Sequence, residues 1–88
     1  MIVTYELIPT PQEKELLDYL INNGSATIYE LKNQGIGDPC TVVSRLRKTG
    51  LINIKSVYTH TMLNGSIYFL LHYEVDENVF ASGVIYER

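Results

Sequence analysis

The sequence predicts a single α+β domain in which three short helices are followed by a long β-hairpin. Three helix-capping patterns stand between residues 10 and 39, and each precedes apolar residues at helical spacing. An Asn-Gly pair at positions 64 and 65 lies between two runs that are rich in β-branched and aromatic residues. The chain has 88 residues, which is the size of one small domain.

The first helix is predicted over about residues 11–23. Thr10 to Glu13 supply a capping hydroxyl, a proline at the first helical position and a glutamate that can bond back to the cap. Gly24 supplies the stop. The apolar stripe of this helix consists of Leu16, Leu17, Leu20 and Ile21.

Two more helices follow within the next 27 residues. The second is predicted to begin after Thr27, because Thr27 and Glu30 form a capping box, and only about two turns fit before the next glycines. The third is predicted to run from Pro39 to Thr49, with Asp38 as its cap and Gly50 as its stop.

The third helix is predicted to bury Cys40, Val43 and Leu46, which recur at every third position. The opposite face then displays Thr41, Val42, Ser44, Arg45 and Lys48. Arg47 borders the buried stripe and has two interpretations: a phosphate contact, or a side chain whose stem packs across the domain. The exposed side of this helix is therefore expected to be basic and rich in hydrogen-bonding groups.

The hairpin is predicted from two β-rich segments, residues 51–60 and 66–75, with the turn at Asn64-Gly65. A two-residue turn at this place fixes the register of the two strands. This register pairs Lys55 with Glu74 and Tyr58 with Leu71. Tyr58 and Tyr68 are interpreted as packing residues.

Two further strands are predicted outside the core of the domain, which spans residues 9–75. They cover about residues 2–8 and 79–86, and the second is expected to kink at Ser82-Gly83. Both segments are apolar. Because an unpaired apolar edge invites association, they are predicted to form the surface of a homodimer.

The charged residues are unevenly distributed along the chain. The segment 39–73 contains four basic residues and no Asp or Glu, so its formal charge is +4. The rest of the chain contains three basic residues and all ten acidic residues, which gives −7 and a total of −3. A domain polarised in this way can present one positive face to a polyanion while its other end repels it.

Two stretches carry a resemblance to a known family. Residues 23–27 (Asn-Gly-Ser-Ala-Thr) form the entry to the second helix, and residues 43–50 (Val-Ser-Arg-Leu-Arg-Lys-Thr-Gly) close the third. They resemble the small winged helix-turn-helix proteins of phages and prophages, over about residues 9–75. Val42 stands where that family usually has arginine.

The resemblance implies a cytoplasmic protein that binds double-stranded DNA, as a phage or prophage transcriptional regulator or an excisionase-like factor. In such domains the third helix enters the major groove and the hairpin lies along the flanking backbone. The predicted DNA-binding residues are Thr41, Val42, Ser44, Arg45, Arg47, Lys48, Lys55 and His60. Arg45 is best suited to guanine, while Lys48 and Lys55 fit phosphate neutralisation.

Other classes of protein find less support in the sequence. The longest apolar run has five residues, too short for a membrane span, and Cys40 as the single cysteine excludes an intramolecular disulfide. No spacing of nucleophiles, acid–base groups or metal ligands indicates an enzyme, a metal site or a cofactor.

The alternative hypothesis is a winged-helix module that binds or inhibits a host protein. It is favoured by the negative net charge, by the missing arginine at Val42 and by the apolar terminal strands, which could extend a partner's sheet. DNA binding should weaken steeply with salt, whereas a hydrophobic interface should not.

Overall fold

The computed structural model describes residues 3–86, and this part of the chain forms an α+β fold with three helices and a three-stranded antiparallel sheet. No helix within it is both long and apolar enough to cross a membrane. In chain order the elements are β1 (Tyr5–Glu6), α1 (Pro11–Asn23), β2 (Ser25–Thr27), α2 (Ile28–Asn33), α3 (Pro39–Lys48), β3 (Lys55–Leu63), β4 (Ser66–Glu74) and β5 (Val84–Ile85).

The capping residues start the helices where the sequence predicts. α1 has the predicted bounds, and the Thr10 hydroxyl accepts a hydrogen bond from the Glu13 N–H at 3.3 Å. Thr27 and Glu30 form a complete capping box at the start of α2. α3 begins at Pro39 and ends at Lys48, one residue before the predicted end.

The hairpin is confirmed in both turn and register. Asn64 and Gly65 both have positive φ, 52° and 79°, as a tight type I′ turn requires. β3 and β4 pair in the predicted register over all nine residues of each strand. A short strand that the sequence did not predict, β2, pairs with the root of β4 and completes the sheet.

The core lies between α1, α2, α3 and the root of the hairpin, and it corrects the predicted phase of α3. Cys40 is exposed, whereas Val42 retains only 1% of its accessible surface. The helix buries Pro39, Val42, Val43 and Leu46. These positions follow the spacing i, i+3, i+4, i+7, which gives a wider apolar stripe than the predicted every-third pattern.

The two terminal segments pair with each other, which contradicts the predicted unpaired edges. β1 and β5 form a parallel pair of two residues each, far shorter than predicted, and residue 2 lies outside the described part of the chain. Gly83 permits this approach: it has a φ of +84°, and a Cβ there would lie 2.7 Å from the Val3 carbonyl oxygen. The edges predicted for dimerisation are therefore joined within one chain.

The distal part of the hairpin projects from the body, and the molecule measures 58 Å along its longest axis but only 25 and 21 Å along the others. Tyr58 and Tyr68 are each more than half exposed, so the prediction that they pack is wrong. The reason is that β2 pairs with β4 only from His72 to Glu74, which leaves the outer hairpin without a third strand.

Candidate functional site

α3 is held at its start by Asp38. One carboxylate oxygen of Asp38 accepts a hydrogen bond from the Thr41 N–H at 3.3 Å, and the other accepts from the Thr41 hydroxyl at 2.6 Å. The cap fixes the first turn of the helix. It also occupies the hydroxyl proton of Thr41, which leaves the oxygen as an acceptor toward solvent.

The outward side of α3 carries Ser44, Arg45 and Lys48, all of them exposed. Within residues 3–86, neither Arg45 nor Lys48 has an ion-pair partner within 4.0 Å. A guanidinium and an ammonium therefore stand at spacing i, i+3 on a rigid helix, facing solvent. Val42, predicted to join this surface, is instead buried in the core and cannot contact a ligand there.

A third cation, which the sequence analysis missed, lies near the start of α3. The pKa of Asp38 is lowered chiefly by its hydrogen bonds with Thr41, and further by the positive charges of Lys32 and Arg45. Lys32 on α2 therefore lies within electrostatic range of the same carboxylate as Arg45. We use the name basic face for Arg45 and Lys48 on α3 together with Lys32 near the start of that helix. Lys32 was missed because it precedes the acid-free segment in the sequence.

Arg47 is tied to the hairpin, as the second of its two interpretations expects. Its Nη2 donates to the Ile54 carbonyl at 2.7 Å and to the Ser56 hydroxyl at 2.7 Å, and its Nε donates to the same carbonyl at 3.1 Å. The guanidinium carbon lies 5.6 Å from the centre of the Tyr73 ring. Arg47 therefore joins α3 to the root of the sheet.

The remaining predicted residues are separated from the basic face or already paired. Lys55 lies 3.0 Å from an Asp76 carboxylate oxygen, and this hydrogen bond raises the pKa of Lys55. His60 is exposed on the distal hairpin, where its ring centre lies 6.1 Å from that of Phe69.

Tyr73 anchors the hairpin root beside α3. Burial raises the pKa of its hydroxyl well above the ordinary value, and hydrogen bonding with Cys40 raises it further. Cys40 is thus a surface neighbour of Tyr73 rather than the core residue that the sequence predicts. In the part of the chain that the structure describes, no three His, Cys, Asp or Glu side chains come together as a group that could hold a metal ion.

Comparison with known proteins adds no relative: no family model, no curated protein and no solved structure matches the chain. The site is therefore interpreted from its own residues.

The carboxylates that cap α2 and α3, Glu30 and Asp38, make the folded protein less stable at acidic pH. Hydrogen bonds lower the pKa of Glu30 as well as that of Asp38, so the unfolded chain takes up these protons more readily than the folded one. The two carboxylates stabilise the fold fully at pH values above their pKa in the unfolded chain. This stabilisation is lost as the pH falls through their lower pKa in the folded chain. We expect the unfolding temperature to drop between about pH 5 and pH 2.

Asp38→Asn provides the matched comparison, because asparagine also caps helices but does not titrate. Thermal unfolding followed by circular dichroism across this range should show a smaller acid loss in the variant. Parallel curves for the two proteins would mean that Asp38 does not contribute to the acid dependence.

Proposed function

We propose that this protein binds double-stranded DNA through the basic face, with α3 as the recognition helix of a winged helix-turn-helix domain. The observation that carries the proposal is the exposure of Arg45 and Lys48 on one rigid helix without an ion-pair partner among the described residues. A short helix with a basic outer side fits the width of the major groove. The order of three helices and a hairpin supports the same class.

The residues of this surface divide into two roles. Arg45 can donate two hydrogen bonds to the major-groove edge of guanine, and Ser44 can donate to or accept from a neighbouring base. Lys48 and Lys32 neutralise phosphates and position the helix. Val42 has no role in the proposed contact because it is buried, while Arg47 and Lys55 are engaged within the domain.

The proposed class is a sequence-specific DNA-binding protein rather than an enzyme. The resemblance in residues 9–75 favours a phage or prophage transcriptional regulator or excisionase-like factor, working in the host cytoplasm. One α3 reads only a few base pairs, so a specific site requires two copies on two half-sites.

The proposal is tested by measuring the affinity for random duplex DNA at several salt concentrations. Lys32 and Lys48, neutralising two phosphates, give a log–log slope of about −1.8 per protomer, and about twice that for two protomers on one duplex. Fluorescence anisotropy of a labelled duplex measures this slope. An absence of binding even at low salt, or an affinity that salt does not change, would contradict the proposal and favour a protein partner instead.

A further inference from the structure

The register of the hairpin separates its side chains into two different faces. Tyr73, which is buried at the root, shares its face with the even-numbered residues of β3 and the odd-numbered residues of β4. Beyond the body this face continues as a stripe of large side chains, which we call the apolar face: Tyr58, Met62, Ile67 and Phe69. The side of the sheet that packs on the core therefore continues along the hairpin beyond the end of the core.

The apolar face is exposed to an unusual degree. The exposed fractions are 66% for Tyr58, 69% for Met62, 59% for Ile67 and 70% for Phe69. Together the four side chains expose on the order of 600 Å², the upper end of what a single patch on a soluble monomer shows. A patch of this size is often functional.

The opposite face of the same hairpin differs in composition. Its three outer rungs, Thr59–Leu70, Thr61–Tyr68 and Leu63–Ser66, each pair one apolar residue with one hydroxyl-bearing residue. The two faces have the same strands, the same turn and the same distance from the body. The apolar face is therefore the more apolar of the two sides and the side that gains more from being covered.

The hairpin also lacks the charges that usually keep exposed strands apart. From Ser56 to Tyr73 the chain contains no Asp, Glu, Lys or Arg. Soluble proteins commonly place lysines or prolines on exposed strands to prevent pairing with another chain. A two-stranded hairpin is in addition only marginally stable in water without cover.

We infer that the apolar face packs against the same face of a second copy of this chain. Two identical faces without Asp, Glu, Lys or Arg meet without repulsion between such groups, whereas a charged partner would find no carboxylate, ammonium or guanidinium on them. Two such faces bury about 1,200 Å² in total, the lower limit for a specific interface of standard size. The area therefore suffices for a dimer.

A two-fold axis fits the order of residues along the stripe. The pairs Tyr58–Leu71, His60–Phe69 and Met62–Ile67 form three successive rungs of this face. With the axis at the middle rung, the outer rung of one copy meets the inner rung of the other. Two sheets stacked in this way lie about 10 Å apart. The inference stands on the hairpin alone and does not require DNA binding.

Sedimentation equilibrium of the full chain tests this dimer. From about 1 to 200 µM we expect the mass to rise from that of the 10.0 kDa chain toward twice this value. Met62→Lys places an unpaired charge in the interface and is expected to weaken the dimer at least about 100-fold. Thr61→Lys adds the same charge to the neighbouring position on the opposite face and should leave the dimer unchanged.

A second test of the dimer uses only the wild-type chain, so its result does not depend on whether a variant folds. In a mixed sample of isotope-labelled and unlabelled chains, we expect intermolecular NOEs between the Met62 methyl group and aromatic protons of the second copy. A chain that stays monomeric at the highest concentration overturns the inference, and so does a dimer that both lysine variants weaken equally. If the chain binds DNA but stays monomeric in its absence, only the inferred dimer is contradicted. If the chain dimerises but does not bind DNA, only the proposed function is contradicted.

Discussion

Replacing Arg45 and Lys48 together by alanine is expected to lower the affinity for duplex DNA about 100-fold. The estimate combines the loss of a bidentate contact to guanine, about 1–3 kcal/mol, with the loss of a phosphate contact. Both side chains are exposed and without an ion-pair partner within the described residues, so their removal leaves the core intact.

The single variants separate the two roles. Arg45→Ala should reduce the preference for one sequence over another, measured by competition between selected and random duplexes. Lys48→Ala should weaken all duplexes alike and make the salt slope shallower by about 0.9.

Lys14→Ala is the matched control for these variants. It removes one positive charge from α1, which has no place in the proposed contact, and Lys14 pairs there with Asp18 at 3.5 Å. It should leave both affinity and sequence preference within experimental error. A loss in this control equal to the loss in Lys48→Ala would mean that only the net charge matters and that α3 has no special role.

Arg47→Ala is expected to act on folding, although Arg47 lies only two residues from Arg45. The variant removes three hydrogen bonds to the hairpin root and the contact with the Tyr73 ring. It leaves the carbonyl of Ile54, a residue of the core, without these donors. We expect the free energy of unfolding to fall by about 2–3 kcal/mol.

Urea denaturation at neutral pH measures this loss, with Arg45→Ala as the comparison on the same helix. That variant should change the free energy of unfolding by less than about 0.5 kcal/mol. Equal stability of the two variants would contradict the assignment of Arg47 to the fold. An Arg47→Lys variant should recover only part of the loss, because a lysine ammonium cannot reproduce the guanidinium fork.

Local signals were sufficient to predict much of the fold. The bounds of α1 follow from Thr10 and Gly24, and the register of β3 with β4 follows from the turn at Asn64-Gly65. Each depends on residues close together in the chain. Their conformational preferences are set before any tertiary contact forms.

The errors concern contacts between distant residues. β2 has three residues, too few to show an alternating pattern, and its pairing with β4 joins Thr27 to His72. The buried side of α3 depends on which elements pack against the helix. Helical spacing alone does not say whether Cys40 or Val42 faces them. The two terminal strands were predicted, but their pairing with each other was not.

The residues of the candidate site were also predicted only in part, because some of their contacts join distant parts of the chain. Arg45, Ser44 and Lys48 are exposed as the helical spacing predicts, whereas Val42, predicted on the same side, is buried. The partners of Lys55 and Arg47 depend on the arrangement of the hairpin and its flanking loop, which no helical periodicity reveals. Lys32 lies within electrostatic range of Asp38 because α2 packs against α3.

The central claim is that α3 contacts DNA, and amide chemical-shift mapping tests it most directly. A uniformly ¹⁵N-labelled chain is titrated with a short duplex at low salt, and the shift of every backbone amide is followed. We predict the largest changes at residues 41–48 and around Lys32, with little change in α1. Changes confined to the distal hairpin or to the terminal strands, with α3 unaffected, would contradict the account.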